Sequence, residues 1–256
     1  LKEKISRLES LLSQFSSVYI ALSGGIDSLF LLHTAVKVLG PERVTAVTAV
    51  SPIHPARDIE DAKAAVKIYN VSHRVIETGE MEDDSFLANP PHRCYICKNH
   101  IFGSLKKRIS VSESTPLLDG SNSDDLSDYR PGAKALKELN VRSPLQEAGF
   151  TKEDIRQAAE SAGIRQWSKP ASACLASRIP YGSPVTAEKL SRIGKAEQFF
   201  RNLGYDPVRV RDHNGLARIE VSPDDIASLA EPGMRKKIIA FLRESGFLYV
   251  TIDAEG

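Results

Sequence analysis

Ile20-Ala21-Leu22-Ser23-Gly24-Gly25-Ile26-Asp27-Ser28 decides the fold, because an apolar β-rich run ends there in a Gly-rich turn that opens directly into a helical pattern. Without a Cβ, Gly24 and Gly25 let the backbone come close to an anion, and the N–H groups that start the helix aim at the same point. A nucleotide phosphate is therefore the first ligand expected. The GxxxxGK[ST] loop, which grips phosphates through a lysine, is excluded because no lysine follows these glycines. The plain alternative is an ordinary strand-to-helix turn with Asp27 and Ser28 as helix caps. Six specified positions in a strand–turn–helix context favour the phosphate cradle.

Outward from this loop, β-like runs at 18–22, 44–50, 73–76 and 116–118 alternate with helical stretches at 27–39, 55–69 and 98–109. The alternation predicts an α/β architecture, a parallel sheet with helices on both faces. Ligands of such sheets bind at the carboxyl ends of the strands, so the segments 23–28, 51–57 and 119–125 are expected to converge. A helix beginning at Thr151, with Thr-x-x-Asp as a capping box, stops at Gly163. From Ser183 the rhythm changes. A helix at 186–203, two β-like runs at 207–212 and 216–221 joined through His213-Asn214-Gly215, a helix at 233–245 and a strand at 248–252 read as a small α+β module. The Asn-Gly pair marks a hairpin. Two domains are expected, a nucleotide domain at 1–182 and a small α+β domain at 183–256 for substrate binding or oligomerisation.

The 256 residues suffice for two modest domains with a substantial core. Lys and Arg number 34 against 33 Asp and Glu, a balance that does not call for nucleic acid or a membrane surface. No apolar run approaches the ~18 residues of a bilayer span, and the first residues pattern as a charged amphipathic helix, unlike a signal peptide. A cytoplasmic protein is expected, with symmetric homo-oligomerisation as the general prior. Three cysteines, odd and few, argue against a disulfide framework and for reduced thiols.

Cys94 and Cys97 form a C-x-x-C pair, and Cys174 lies far beyond it. Structural zinc takes four protein ligands and would need His92 or His100 as well. A cubane iron–sulfur cluster can be held by three cysteines, leaving one iron open to an exogenous ligand such as sulfide. A redox pair of Cys94 with Cys97, or three unrelated buried thiols, are the remaining readings.

Asp119-Gly120-Ser121-Asn122-Ser123-Asp124-Asp125, leading into Asp128-Tyr129-Arg130-Pro131-Gly132, is a carboxylate-rich turn suited to the magnesium or ribose of ATP; turn chemistry alone also selects such residues. The loop at 169–182 gathers a thiol, hydroxyls and Arg178. Arg209 and Arg211, two apart, share one face of a strand, where they suit a substrate phosphate or salt bridges to Glu220 or Asp212. Trp167 is expected in the core, and the acidic stretch Glu80 to Asp84 as a solvated face.

The SGGIDS stretch resembles the signature of the ATP pyrophosphatase, or PP-loop, superfamily, whose members cut ATP between the α- and β-phosphates. Taken with DGSNSDD, DYRPG, ASACLASRIPYG at 171–182 and VRVRDHN at 208–214, it resembles one family within it. These are the ATP-dependent sulfur transferases, labelled LarE, that make the nickel-pincer nucleotide cofactor of lactate racemase. The resemblance covers nearly the whole chain. It implies that ATP with Mg2+ adenylates the carboxylates of pyridinium-3,5-biscarboxylic acid mononucleotide, and that sulfur then displaces AMP to give thiocarboxylates. It implies roles too: Ser23, Gly24, Gly25, Asp27 and Ser28 hold pyrophosphate with magnesium near Asp27. Asp119, Asn122 and Asp125 support ATP or magnesium, and Ser177, Arg178, Arg209 and Arg211 take the substrate phosphate.

Members that surrender their own sulfur carry a single cysteine at the position matching Ala173, whereas here the cysteine stands one place later and the C-x-x-C pair is additional. The chain therefore resembles the branch in which Cys94, Cys97 and Cys174 hold a [4Fe-4S] cluster, with sulfide or another sulfur donor as partner. Cys174 spent once as donor is the alternative. A tRNA thiolase and a non-catalytic nucleotide-binding module are the rival functions; salt-sensitive tRNA binding, or ATP binding without substrate-dependent pyrophosphate release, would distinguish them.

Overall fold

The computed structural model describes residues 1–126, 131–165, 167–169 and 173–256. Along the chain run α1 (Lys2–Ser13), β1 (Val18–Ala21), α2 (Ile26–Leu39), β2 (Val44–Val50), α3 (Ala56–Tyr69), β3 (Ser72–Glu77), α4 (Asp84–Leu87), α5 (Arg93–Arg108), β4 (Leu117–Leu118), α6 (Pro131–Glu138), α7 (Pro144–Glu147) and α8 (Lys152–Ser161). They are followed by α9 (Ala187–Asn202), β5 (Val208–His213), β6 (Leu216–Val221), α10 (Ile226–Ala230), α11 (Pro232–Glu244) and β7 (Tyr249–Ile252).

The chain forms two compact units. The first, Leu1–Ser51 with Ala56–Glu82 and His92–Ser172, is built on a four-stranded sheet of order β3-β2-β1-β4 in which every pairing is parallel. Strands β1, β2 and β4 are largely apolar on both faces, as parallel strands covered by helices must be, whereas the edge strand β3 buries only Ile76. Val18 and Ile20 of β1 join Val44 and Ala46 of β2 in one core with α1, α2 and α8. Tyr19 and Ala21 turn with Val47 and Ala49 into a second core, built on Phe102 and Leu105 of α5 and Leu136 of α6. Helix α2 is apolar nearly all round, with Leu29, Phe30, Leu31 and Leu32 buried in successive positions, as befits a helix packed between sheet and outer helices.

Strand order runs β1, β2, β3 to one side and returns to β4 on the other side of β1. The point of reversal lies between β1 and β4, where sheets of this kind bind ligands. Helix α8 carries the expected capping box: Thr151 Oγ1 accepts from the Asp154 N–H while the Thr151 N–H donates to Asp154 Oδ2. Helix α5 starts at Arg93 rather than at residue 98, so both cysteines of the C-x-x-C pair lie on it; Pro90 and Pro91 mark its limit, since proline cannot sit inside a helix without breaking its hydrogen bonds.

The second unit comprises Pro52–Pro55, Asp83–Pro91 and Ala173–Gly256. Its sheet is mixed, with β5 antiparallel to β6 and β6 parallel to β7. Asn214 at φ 53° and Gly215 at φ 94° form the tight turn between β5 and β6. Val208, Val210 and Asp212 of β5 point inward, and Arg209, Arg211 and His213 outward. The two short early segments are stitched in by backbone bonds, Leu175 N–H to Ile53 O at 2.8 Å and Val185 N–H to Leu87 O at 2.9 Å. Asn89, fully buried with φ 55°, donates from Nδ2 to Pro180 O and Ser183 O at 2.8 Å each and accepts the Gly182 N–H at 2.9 Å.

Candidate functional site

After β1 the Leu22 N–H bonds Val47 O at 2.9 Å, and the chain then leaves the sheet. Gly24 takes φ +77°, and a Cβ there would stand 2.0 Å from Asp58 O, so this position requires glycine on two independent grounds. Gly25, not Asp27 or Ser28, is the helix N-cap, and it brings no side-chain acceptor to the first turn of α2. Ser28 folds back instead: its Oγ donates to Gly25 O at 2.9 Å and accepts the Ser23 N–H at 3.2 Å, with Ser23 Oγ also 3.2 Å away. The geometry is a closed loop with the opening N–H groups of α2 at its mouth, where an anion is favoured.

The segment after β4 meets this loop. Gly120 packs on the start of α2, where a Cβ would come within 2.8 Å of Ser28 N. Asp119 is buried and accepts from Ser121 Oγ at 2.6 Å and Ser143 Oγ at 2.5 Å, with Lys98 Nζ at 3.8 Å. Asn122 Nδ2 donates to Asp27 at 3.5 Å, and the Asn122 N–H to Asp125 Oδ2 at 3.0 Å. The structure thus brings Asp119, Asn122 and Asp125 together with Asp27. Residues 127–130, which include the Asp128-Tyr129-Arg130 stretch, and 170–172 lie outside the described residues.

Lys152, at the first position of α8, places Nζ 2.6 Å from both carboxylate oxygens of Asp27. Burial raises the Asp27 pKa above the ordinary aspartate value; Lys152 pulls against it, and the nearby Asp125 adds to the rise. Lys169 approaches the same loop from behind, bonding Gly24 O at 3.2 Å and the carboxylates of Asp58 and Asp61. Sequence reasoning missed both lysines. The Thr-Lys-Glu-Asp start of α8 offered a signal for the first, but only its capping residues carried a pattern. Trp167, expected in the core, is 37% exposed, and Glu80, expected on a solvated face, is fully buried and accepts from Ser51 Oγ at the end of β2. Burial beside the strand ends accounts for Glu80; for Trp167 the structure offers no cause.

Cys94 and Cys97 stand three positions apart on α5, which places them on one side of the helix; Cys94 is exposed and Cys97 half-buried. Cys174, also half-buried, belongs to the second unit and caps the 3-10 turn Leu175–Arg178. None of the three is in a disulfide. Among the described residues no group of three or more His, Cys, Asp or Glu side chains is gathered as a metal site. In chemistry the donor set suits iron and sulfide, three thiols with two of them one helical turn apart.

In the second unit Ser177, Arg178 and Arg211 come together. Arg178 is buried against Glu197, with Nε 2.8 Å from Oε1, and its Nη1 donates to Ala173 O, Cys174 O and Ser177 Oγ. Ser177 Oγ donates to Cys174 O at 2.7 Å. Arg211 pairs with Glu220 and reaches Ser177 O at 3.3 Å, while Arg209 is exposed on the same face of β5. Asp212 pairs with Arg192.

The family described as NAD synthase matches residues 4–89, the part that holds β1, the glycine loop and α2. An NH(3)-dependent NAD(+) synthetase of Staphylothermus marinus is 39% identical over 94 residues, 36% of this chain and 33% of that protein. An uncharacterized protein of Synechocystis is 41% identical over the whole chain and 95% of its own length. Pyridinium-3,5-bisthiocarboxylic acid mononucleotide synthase of Lactiplantibacillus plantarum is 35% identical over the whole chain and 92% of its own length. On that likeness from end to end, the chain belongs to the LarE family of PP-loop proteins, that of pyridinium-3,5-bisthiocarboxylic acid mononucleotide synthase.

Proposed function

We propose that this protein is an ATP-dependent sulfur transferase that converts the carboxylates of pyridinium-3,5-biscarboxylic acid mononucleotide into thiocarboxylates. The likeness to the L. plantarum synthase along the entire chain carries the proposal, and the glycine loop at the reversal point of the sheet supports it. A substrate carboxylate oxygen attacks the α-phosphorus of ATP, and pyrophosphate leaves. Sulfide then attacks the acyl carbon, and AMP leaves with the oxygen. Adenylation converts a poor leaving oxygen into a good one, and it is the step that electrostatic stabilisation of pyrophosphate promotes.

Ser23, Gly24, Gly25 and Ser28 hold the departing pyrophosphate at the start of α2. Asp27 and Asp125, with Asp119 and Asn122 beside them, would hold the magnesium ion that offsets its charge, and Lys152 pairs with Asp27. Ser177, Arg209 and Arg211 serve the phosphate of the mononucleotide, while Arg178, buried against Glu197 with its N–H groups already engaged, holds the Ser177 turn in place. Cys94, Cys97 and Cys174 would hold a [4Fe-4S] cluster, which when bound supplies sulfide as nucleophile at its open iron.

Two measurements test this reading. Pyrophosphate release from ATP should require the pyridinium mononucleotide, and mass spectrometry should find a thiocarboxylate product; release that tRNA stimulates instead would indicate a tRNA thiolase. Anaerobically reconstituted protein should contain about four irons per chain, lost in Cys94→Ala, Cys97→Ala and Cys174→Ala. No iron in the wild type would return Cys174 to the role of a donor spent once.

A further inference from the structure

We infer that Lys169 is a positioning residue that sets the phosphate loop for binding, through the carbonyl of Gly24 and without touching the ligand. An ammonium group has three N–H donors and no acceptor. Lys169 has three acceptors within reach: Asp58 Oδ1 at 2.8 Å, Asp61 Oδ2 at 2.5 Å and Gly24 O at 3.2 Å. Its side chain is only 8% exposed. No donor is left over for a phosphate, so a direct ligand role is excluded by count and by burial.

The action passes through one peptide plane. In a trans peptide the carbonyl of residue i and the N–H of residue i+1 point in opposite directions. Holding Gly24 O from behind therefore turns the Gly25 N–H to the exposed side of the loop, where it makes only a long 3.3 Å bond to Ser23 Oγ, weak enough for an anion to replace. The backing is a closed triangle. Asp58 contributes its carboxylate to Lys169 and its backbone oxygen to the surface on which Gly24 lies, so the lysine and the first turn of α3 fix the same glycine from two sides. Asp61, one turn later on α3, completes the charge balance.

The assignment rests on the reading of this loop as the pyrophosphate site, and the test separates the two. Binding of magnesium pyrophosphate, ATP and adenosine is measured calorimetrically for the wild type, Lys169→Met and Lys169→Arg, with Tm recorded for each. Because Lys169→Met leaves two carboxylates facing each other, the triple variant Lys169→Met/Asp58→Asn/Asp61→Asn is measured beside it, with no charge left uncompensated.

Loss of preorganisation predicts that the Met variants bind pyrophosphate and ATP about tenfold more weakly, with adenosine affinity unchanged and partial recovery in Lys169→Arg. Unchanged pyrophosphate affinity in the triple variant overturns the inference. So does an equal loss for adenosine accompanied by a lowered Tm, which is the mark of a merely structural lysine. A wild type that binds neither ATP nor pyrophosphate overturns the loop's function, and the role of Lys169 with it.

Discussion

Substituting Gly24 by alanine sets a methyl carbon 2.0 Å from Asp58 O in a backbone at φ +77°, so clash and strain act together. The expected cost is roughly 2–4 kcal/mol in chemical denaturation, with ATP binding lost. Asp27→Asn separates stability from function in the opposite sense. Burial raises the pKa of this carboxyl even with Lys152 in place, so its ionised form is carried at a cost to folding at neutral pH. The variant should keep its Tm at pH 7 or gain in it, while ATP-dependent pyrophosphate release falls about 100-fold; a lowered Tm with unchanged activity would contradict this. Ser23, Gly24 and Ser28 were legible in the sequence because small residues in a strand-to-helix turn have few other uses. Lys152 and Lys169 were not, since their partners Asp27 and Asp58 lie 125 and 111 residues away and a single lysine carries no local pattern.

Among the elements, α8 offers a pH test. Burial raises the Asp154 pKa, but the bonds from Lys4 of α1 and from the Thr151 N–H and hydroxyl outweigh it and hold the group at about 2, against 3.8 ordinarily. A depressed carboxyl pKa contributes stability above the unfolded-state value, and the contribution is lost as pH falls from about 4 to about 2. Asp154→Ala should therefore cost about 1 kcal/mol at pH 7, with the deficit disappearing toward pH 2 in urea titrations at each pH. A deficit independent of pH would sink the assignment. The capping box was readable because both partners sit within four residues. The strands were readable as well, since a parallel sheet with both faces covered demands unbroken apolar runs such as Val18 to Ala21. The early start of α5 was not, because Arg93-Cys94-Tyr95-Ile96-Cys97 has no helical apolar period of its own.

For the molecule as a whole, the second unit takes two pieces from the first half of the chain, Pro52–Pro55 and Asp83–Pro91. Nothing in the composition of either piece announces this; membership is decided by backbone partners about a hundred residues later, the Leu175 and Val185 N–H groups that donate to Ile53 O and Leu87 O and the carbonyls that accept from Asn89 Nδ2. Asn89→Ala removes the Nδ2 group shared by Ile179 O, Pro180 O and Ser183 O and should cost about 3 kcal/mol in chemical denaturation. A fragment of residues 173–256 alone should lack a sharp thermal transition by circular dichroism, and adding a peptide of residues 83–91 should restore part of it. A cooperative fragment without the peptide would show that the borrowed segments are dispensable.

The borrowing also sets a schedule at the ribosome. Ile53 and Phe86, each 1% exposed in the finished fold, emerge long before the loop that receives them. At roughly 5–20 residues per second, Asn89 waits on the order of 5–20 s for Ser183 to be made. Throughout that interval two sticky segments hang from a half-built chain, a window in which a holding chaperone would raise the yield of active protein.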